Sequence, residues 1–192
     1  MMMPTFCWQY NITEIDNQKL RNPSSIAIIN CSKEKRIYIA DPQNNRILLY
    51  SISNARHGKF APIFGGKFEP GDVKFHCPSA VAMALDNRSG LEIMFVVEYR
   101  ANRVQAIRVS DGAFIRKWGS RGSDDGQFKT PYGAIIGGEN IFITDSMNYR
   151  ILLTAYSILM EISFINGEVK AMAMENSTTL LVLLIMTLVL QY

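Results

Sequence analysis

One short pattern occurs three times in the chain. A recurring pattern constrains a fold more than any composition does, because every copy must build the same structural unit. The segments Asp41-Pro-Gln-Asn-Asn-Arg46-Ile-Leu, Glu98-Tyr-Arg-Ala-Asn-Arg103-Val-Gln and Asp145-Ser-Met-Asn-Tyr-Arg150-Ile-Leu each carry an acid, an arginine five residues later and an aliphatic residue next. Each follows a short run of strand character: Arg36 to Ala40, Glu92 to Val97 and Asn140 to Thr144. Two further landmarks keep the same order. Leu20, Phe75 and Phe128 stand three residues before Pro23, Pro78 and Pro131, and an aromatic-glycine pair precedes the second and third prolines at Phe64-Gly65 and Trp118-Gly119.

Between these landmarks the sequence alternates short apolar runs with turn signals, which predicts four strands per unit. In the second unit they fall at about Ala80 to Leu85, Glu92 to Val97, Arg103 to Val109 and Ala113 to Trp118, the last two joined by Ser110-Asp111-Gly112. The arginines are 57 and 47 residues apart, close to the spacing of blades in a β-propeller. Helical solenoids require a 3.6-residue period, which these runs lack. The predicted fold is therefore all-β: an incomplete propeller of four-stranded antiparallel blades, about three of them clear and a fourth degenerate. An apolar fraction of 48% is enough to bury a core, and the charged fraction of 19% argues against a disordered chain.

The stretch Phe114-Ile-Arg-Lys-Trp-Gly-Ser-Arg-Gly-Ser-Asp-Asp-Gly-Gln-Phe-Lys-Thr-Pro-Tyr-Gly133, followed by Ile141 to Ile151, resembles the repeat of the NHL propellers almost position for position. The resemblance covers about residues 20 to 156. It departs from the family pattern at Glu98, where Asp is usual, and in a longer first interval. It implies a ring of the six-bladed, TolB-like kind and a role as an interaction module. At about 44 residues per blade such a ring needs about 260 residues, against 192 here. The chain is thus expected to be a fragment of a longer product, to close with fewer blades, or to complete its ring with another chain.

Three segments follow from this reading. Residues 1–19 are a lead-in or the outer strand of a preceding blade, with Trp8 in the place of Phe64 and Trp118. Residues 20–166 hold the three repeats. Residues 167–192 are a degenerate blade or a hydrophobic tail: Val169 to Asn176 mirrors Ser79 to Asn87, and the 13 residues Thr178 to Leu190 are fewer than the about 20 a membrane-crossing helix needs. A membrane partner is expected only if that run is an anchor. The N-terminus lacks the basic and apolar regions of a secretory signal, and three cysteines (Cys7, Cys31, Cys77) do not form an even disulfide set, so the chain reads as cytoplasmic.

Little in the sequence points to catalysis. Two histidines, His57 and His76, are too few for a three-histidine zinc site, and in an antiparallel meander they fall at opposite ends of the blades. Neither a nucleophile elbow nor a phosphate loop is present. An amidating lyase and several lactone hydrolases use related rings, so a fragment of a propeller enzyme is an alternative by fold analogy alone. No catalytic residue, metal or cofactor is expected. The repeated pairs Asp41/Arg46, Glu98/Arg103 and Asp145/Arg150 are expected to be structural, each holding its own blade's loops.

The end of the blades that carries the second connections and the linkers is the expected binding face. Tyr99, Arg100, Arg121, Lys129, Tyr132 and Tyr149 belong to it. Its charges nearly cancel, eight basic residues against seven acids between Asp41 and Arg150, so no phosphate-tracking stripe is evident. Aromatics amid mixed charge favour a protein or peptide partner, with RNA as the alternative. Open edge strands would also favour self-association.

Overall fold

The structure, a computed structural model, describes residues 14–15, 18–30, 34–53, 59–66, 71–86 and 89–155. Trp8, His57, Cys7, Cys31 and the segment 167–192 lie outside these residues. The described strands all belong to one compact unit, Met1–Ser157. They run β1 (Glu14–Ile15), β2 (Gln18–Lys19), β3 (Ser25–Asn30), β4 (Glu34–Asp41), β5 (Arg46–Ser53), β6 (Lys59–Gly65), β7 (Pro78–Asp86), β8 (Leu91–Glu98), β9 (Arg103–Arg108), β10 (Phe114–Trp118), β11 (Pro131–Gly137), β12 (Asn140–Asp145) and β13 (Arg150–Ala155).

β3 to β6 and β7 to β10 each form a four-stranded antiparallel meander, and β11 to β13 form a three-stranded one. These are the blades of an incomplete propeller, not closed into a barrel. β1 and β2 pair as a short ribbon ahead of the first blade. Among the described residues the third blade has these three strands. No helix among the described residues is long and apolar enough to cross a membrane.

Strands of a sheet that is buried on both faces read as continuous apolar runs, and alternate residues then go to different cores. The middle blade shows this directly. Along β7, Ala80, Ala82 and Ala84 join one cluster while Val81 joins another; along β8, Ile93, Phe95 and Val97 join the first while Met94 and Val96 join the second. The first cluster also holds Ile141 and Ile143 of the third blade, and the second holds Tyr38, Ala40 and Ile47 of the first blade. Each core therefore lies between two neighbouring blades. Phe75 and Phe128 come from the linkers and fill one interface each, at 0% and 1% exposure. Leu20, their counterpart ahead of the first blade, packs on Ile39 and Leu48. Phe64 and Trp118 are half-buried against the same two cores, Trp118 edge-on to Phe95 at 6.1 Å between ring centres.

Candidate interaction surface

The linkers and second connections meet at one end of the blades, and the repeated acids and arginines hold them together. Asp41, Glu98 and Asp145 end their strands fully buried. One carboxylate oxygen of each accepts the backbone N–H two residues before the repeat proline: Arg21 N to Asp41 at 2.7 Å, His76 N to Glu98 at 2.7 Å and Lys129 N to Asp145 at 2.6 Å. The same acids accept Nε–H from Arg46, Arg103 and Arg150 at 2.7, 2.7 and 2.9 Å. Each guanidinium then donates to the carbonyl four residues before the proline: Lys19 at 3.4 Å, Lys74 at 3.1 Å and Gln127 at 2.8 Å. A constant five-residue spacing is what this geometry demands. The acid closes one strand, the arginine opens the next, and both reach the same linker.

The middle repeat departs from the pattern twice, and the two departures compensate. Asn44 and Asn148 donate side-chain N–H both to their repeat's acid and to a linker carbonyl. Ala101 occupies that place in the second repeat and has no amide to offer. There Gln105, fully buried on β9, donates to the Lys74 carbonyl at 2.9 Å and to Glu98 at 2.8 Å, and its side-chain oxygen accepts Val73 N–H at 2.9 Å. A longer acid and an amide from the adjacent strand together replace the Asp and Asn of the other repeats.

A second set of contacts joins one repeat to the next. Asn45 and Asn102 sit in the left-handed region, φ 53° and 51°, where Asn is tolerated better than most residues. Their side-chain oxygens accept the backbone N–H of Cys77 and of Thr130, both at 2.9 Å, in the linker of the following blade. Gly65 and Gly119, φ +82° and +99°, let Phe75 and Phe128 lie against the backbone. Sequence reasoning missed these links. The Asn-Arg dipeptides at Asn45-Arg46 and Asn102-Arg103 are the signal that could have found them, because an Asn closing a turn before a strand marks the left-handed position.

The six residues of the expected binding face all fall at this end. Tyr99 and Arg100 lie in the second connection of the middle blade, where the Tyr99 hydroxyl accepts Arg100 Nε–H at 2.9 Å and the guanidinium lies 5.7 Å from the ring centre. The Asn102 to Thr130 bond brings that connection alongside Lys129 and Tyr132, and Met147 N donates to Lys129 O at 3.0 Å, bringing in the turn that ends at Tyr149. Arg121 pairs by a bridge with Phe128, next to Lys129. Tyr99 is half-buried, whereas Arg100, Arg121, Lys129, Tyr132 and Tyr149 are exposed. His76 lies at the same end. Its burial and the nearby Arg100 charge hold its imidazole below the ordinary value of 6.5, against the opposing pull of Glu98.

No family model and no curated protein matches the chain. Among solved structures it is similar to an auxiliary nutrient binding protein from Bacteroides thetaiotaomicron, at 16% identity and a TM-score of 0.49, over 60% of this chain and 33% of that one. The similarity thus spans about a third of that protein's length.

Proposed function

We propose that the chain is an NHL-like propeller module that works as a non-catalytic scaffold, holding a protein or peptide across the linker end of its blades. The observation that carries this reading is a division of labour at that end. The repeat acids and arginines are bonded into the linkers, while Tyr132 and Tyr149 stand 49% and 93% exposed beside Met147 at 51%. Large amphipathic rings on a rigid frame make contact area at low entropic cost and are enriched in protein interfaces. The exposed charges next to them, Arg100, Arg121 and Lys129 against Asp124 and Asp125, are of mixed sign, which suits a polar rim better than a nucleic-acid track.

The test is selection of a displayed peptide library on the purified chain, followed by affinity measurements on the selected peptides. Tyr99→Ala or Tyr149→Ala is expected to weaken binding by about 2 kcal/mol, roughly 30-fold, where the ring is a central anchor. The affinity should change little between about 50 and about 200 mM salt. Failure to select any peptide, together with oligonucleotide binding that falls by orders of magnitude over that salt range and depends on Arg100, Arg121 and Lys129, would overturn the reading in favour of RNA.

A further inference from the structure

Each blade has two unlike faces, and the repeats show which residues belong to which. The face turned toward the following blade is made by Tyr38, Ala40 and Ile47 in the first repeat and by Phe95, Val97 and Val104 in the second, all buried to within 1%. Ala27 and Ala82 complete it from the first strand of each blade. The matching positions of the third repeat are Phe142, Thr144, Ile151 and Ile135. Ile151 is 66% exposed and Ile135 is 67% exposed.

The opposite kind of face, turned toward the preceding blade, uses Val81 in the second blade and Ala134 and Ile136 in the third, packed against their neighbours. In the first blade the matching positions Ile26 and Ile28 are exposed at 64% and 54%, while Ile39 and Leu48, nearer the linker end of the same face, are covered by Leu20. Among the described residues the unit therefore ends in one open face of each kind, and the two kinds are what pack together at both internal junctions.

The polar links change at the open end as well. Ser24 donates its hydroxyl to the Ser79 carbonyl at 2.7 Å, and Ser79 donates to the Pro131 carbonyl at 3.1 Å, tying each blade to the next. Tyr132 holds that place in the third repeat. Tyr149, at φ 53°, holds the left-handed place of Asn45 and Asn102, where a bulky residue is an outlier. Both positions that latch a following blade within the chain thus lack the serine and the asparagine of the other repeats, which leaves the seam at this end to the apolar face of the blade.

We propose that these two faces meet between two copies of this chain, the third blade of each packing on the first blade of the other, so that the three blades described in each copy close one six-bladed ring. The occupant is argued from continuity with the internal junctions: each open face matches, position by position, a face that is covered inside the chain. Face-to-tail contacts of this kind either close or run on as a filament. Propellers close with about four to eight blades, and of the multiples of three only two copies fall in that range. The association uses blade faces, not pairing of edge strands.

The experiment is the mass of the full 192-residue chain by light scattering and sedimentation across a dilution series, beside two variants. Ile26→Lys/Ile28→Lys blocks one face and Ile135→Lys/Ile151→Lys blocks the other. The parent is expected at twice 21.7 kDa and each variant at 21.7 kDa. An equimolar mixture of the two variants is expected to regain a one-to-one complex, because one seam in the mixed pair has both of its faces intact. Circular dichroism matching the parent establishes that the variants fold, as exposed positions should allow. Arg100→Ala, in the middle blade, leaves the mass unchanged, so loss of a partner and loss of the ring are read separately. A parent that stays monomeric at every concentration, one that grows into open-ended oligomers, or a dimer indifferent to both variants overturns the proposal. Variants that fail to complement each other overturn it too.

Discussion

Gly119→Ala is the perturbation that presses hardest on the way linkers lock into blades. Gly119 follows Trp118 at the end of β10 with φ +99°, a conformation for which an alanine is strained by about 1 to 3 kcal/mol. The added methyl would lie 2.5 Å from Phe128 Cδ2, 2.6 Å from Cε2 and 2.9 Å from the Asn102 carbonyl oxygen. Phe128 is 1% exposed in the core between the second and third blades, so its ring cannot swing aside into solvent. Overpacking of that kind adds about 1 to 3 kcal/mol. The sum, about 2 to 6 kcal/mol, corresponds in a urea titration to a midpoint lower by about 1 to 3 M at a slope of about 2 kcal/mol/M. Phe128→Leu, the residue type that Leu20 places ahead of the first blade, would make room for the methyl and leave only the backbone strain. The double variant should then lose about 1 to 3 kcal/mol less than the sum of the two single losses. An alanine accepted within about 0.5 kcal/mol, or strict additivity with Phe128→Leu, would refute the packing argument.

Two further outcomes follow from the same geometry. Gln105→Leu keeps the volume of the residue that matches it in the other repeats but removes three bonds around Glu98; it should cost about 2 to 3 kcal/mol in denaturant unfolding. Most of that loss should return in Glu98→Asp/Ala101→Asn/Gln105→Leu, which restores the acid and amide of the other two repeats. His76 gives a pH dependence of defined sign. Its imidazole is held below the ordinary 6.5 in the folded state, so the unfolded chain binds the proton more readily. Stability should be full above that value and fall as pH drops through it toward the lower folded value, and His76→Gln should flatten this part of the profile.

Much of the architecture is legible in the residues because the repeats fix distances. An acid and an arginine five apart recur because one linker must be held from two adjacent strand ends, and the runs Ala80 to Ala84 and Ile93 to Val97 are apolar throughout because blades cover both of their faces. Other features are not legible, for physical reasons. Asn45 and Asn102 act on residues 32 and 28 positions away, and within their own segments they look like ordinary turn residues. Gln105 reads as a polar interruption of an apolar strand until the missing amide at Ala101 gives it a purpose. Ile135 and Ile151 are as apolar as Ala82 and Val104, and only the fold distinguishes a covered blade face from an open one. The aromatic residues at the linker end were visible as a set through their places in the repeat. That Tyr99 is half-buried and accepts a bond from Arg100 while the Tyr149 side chain is exposed follows from local side-chain packing, which the spacing does not encode.

The claim on which the rest depends is that the repeated acids and arginines hold the linkers and are not presented to a ligand. Amide hydrogen exchange at Arg21, His76 and Lys129 tests it most directly, because these N–H groups lie in irregular linkers and donate to the buried carboxylates of Asp41, Glu98 and Asp145. Groups bonded in this way open only with larger unfolding events. All three are expected to exchange as slowly as the amides of their own blades' central strands. Exchange at the rate of exposed loops, with the strands still protected, would contradict it.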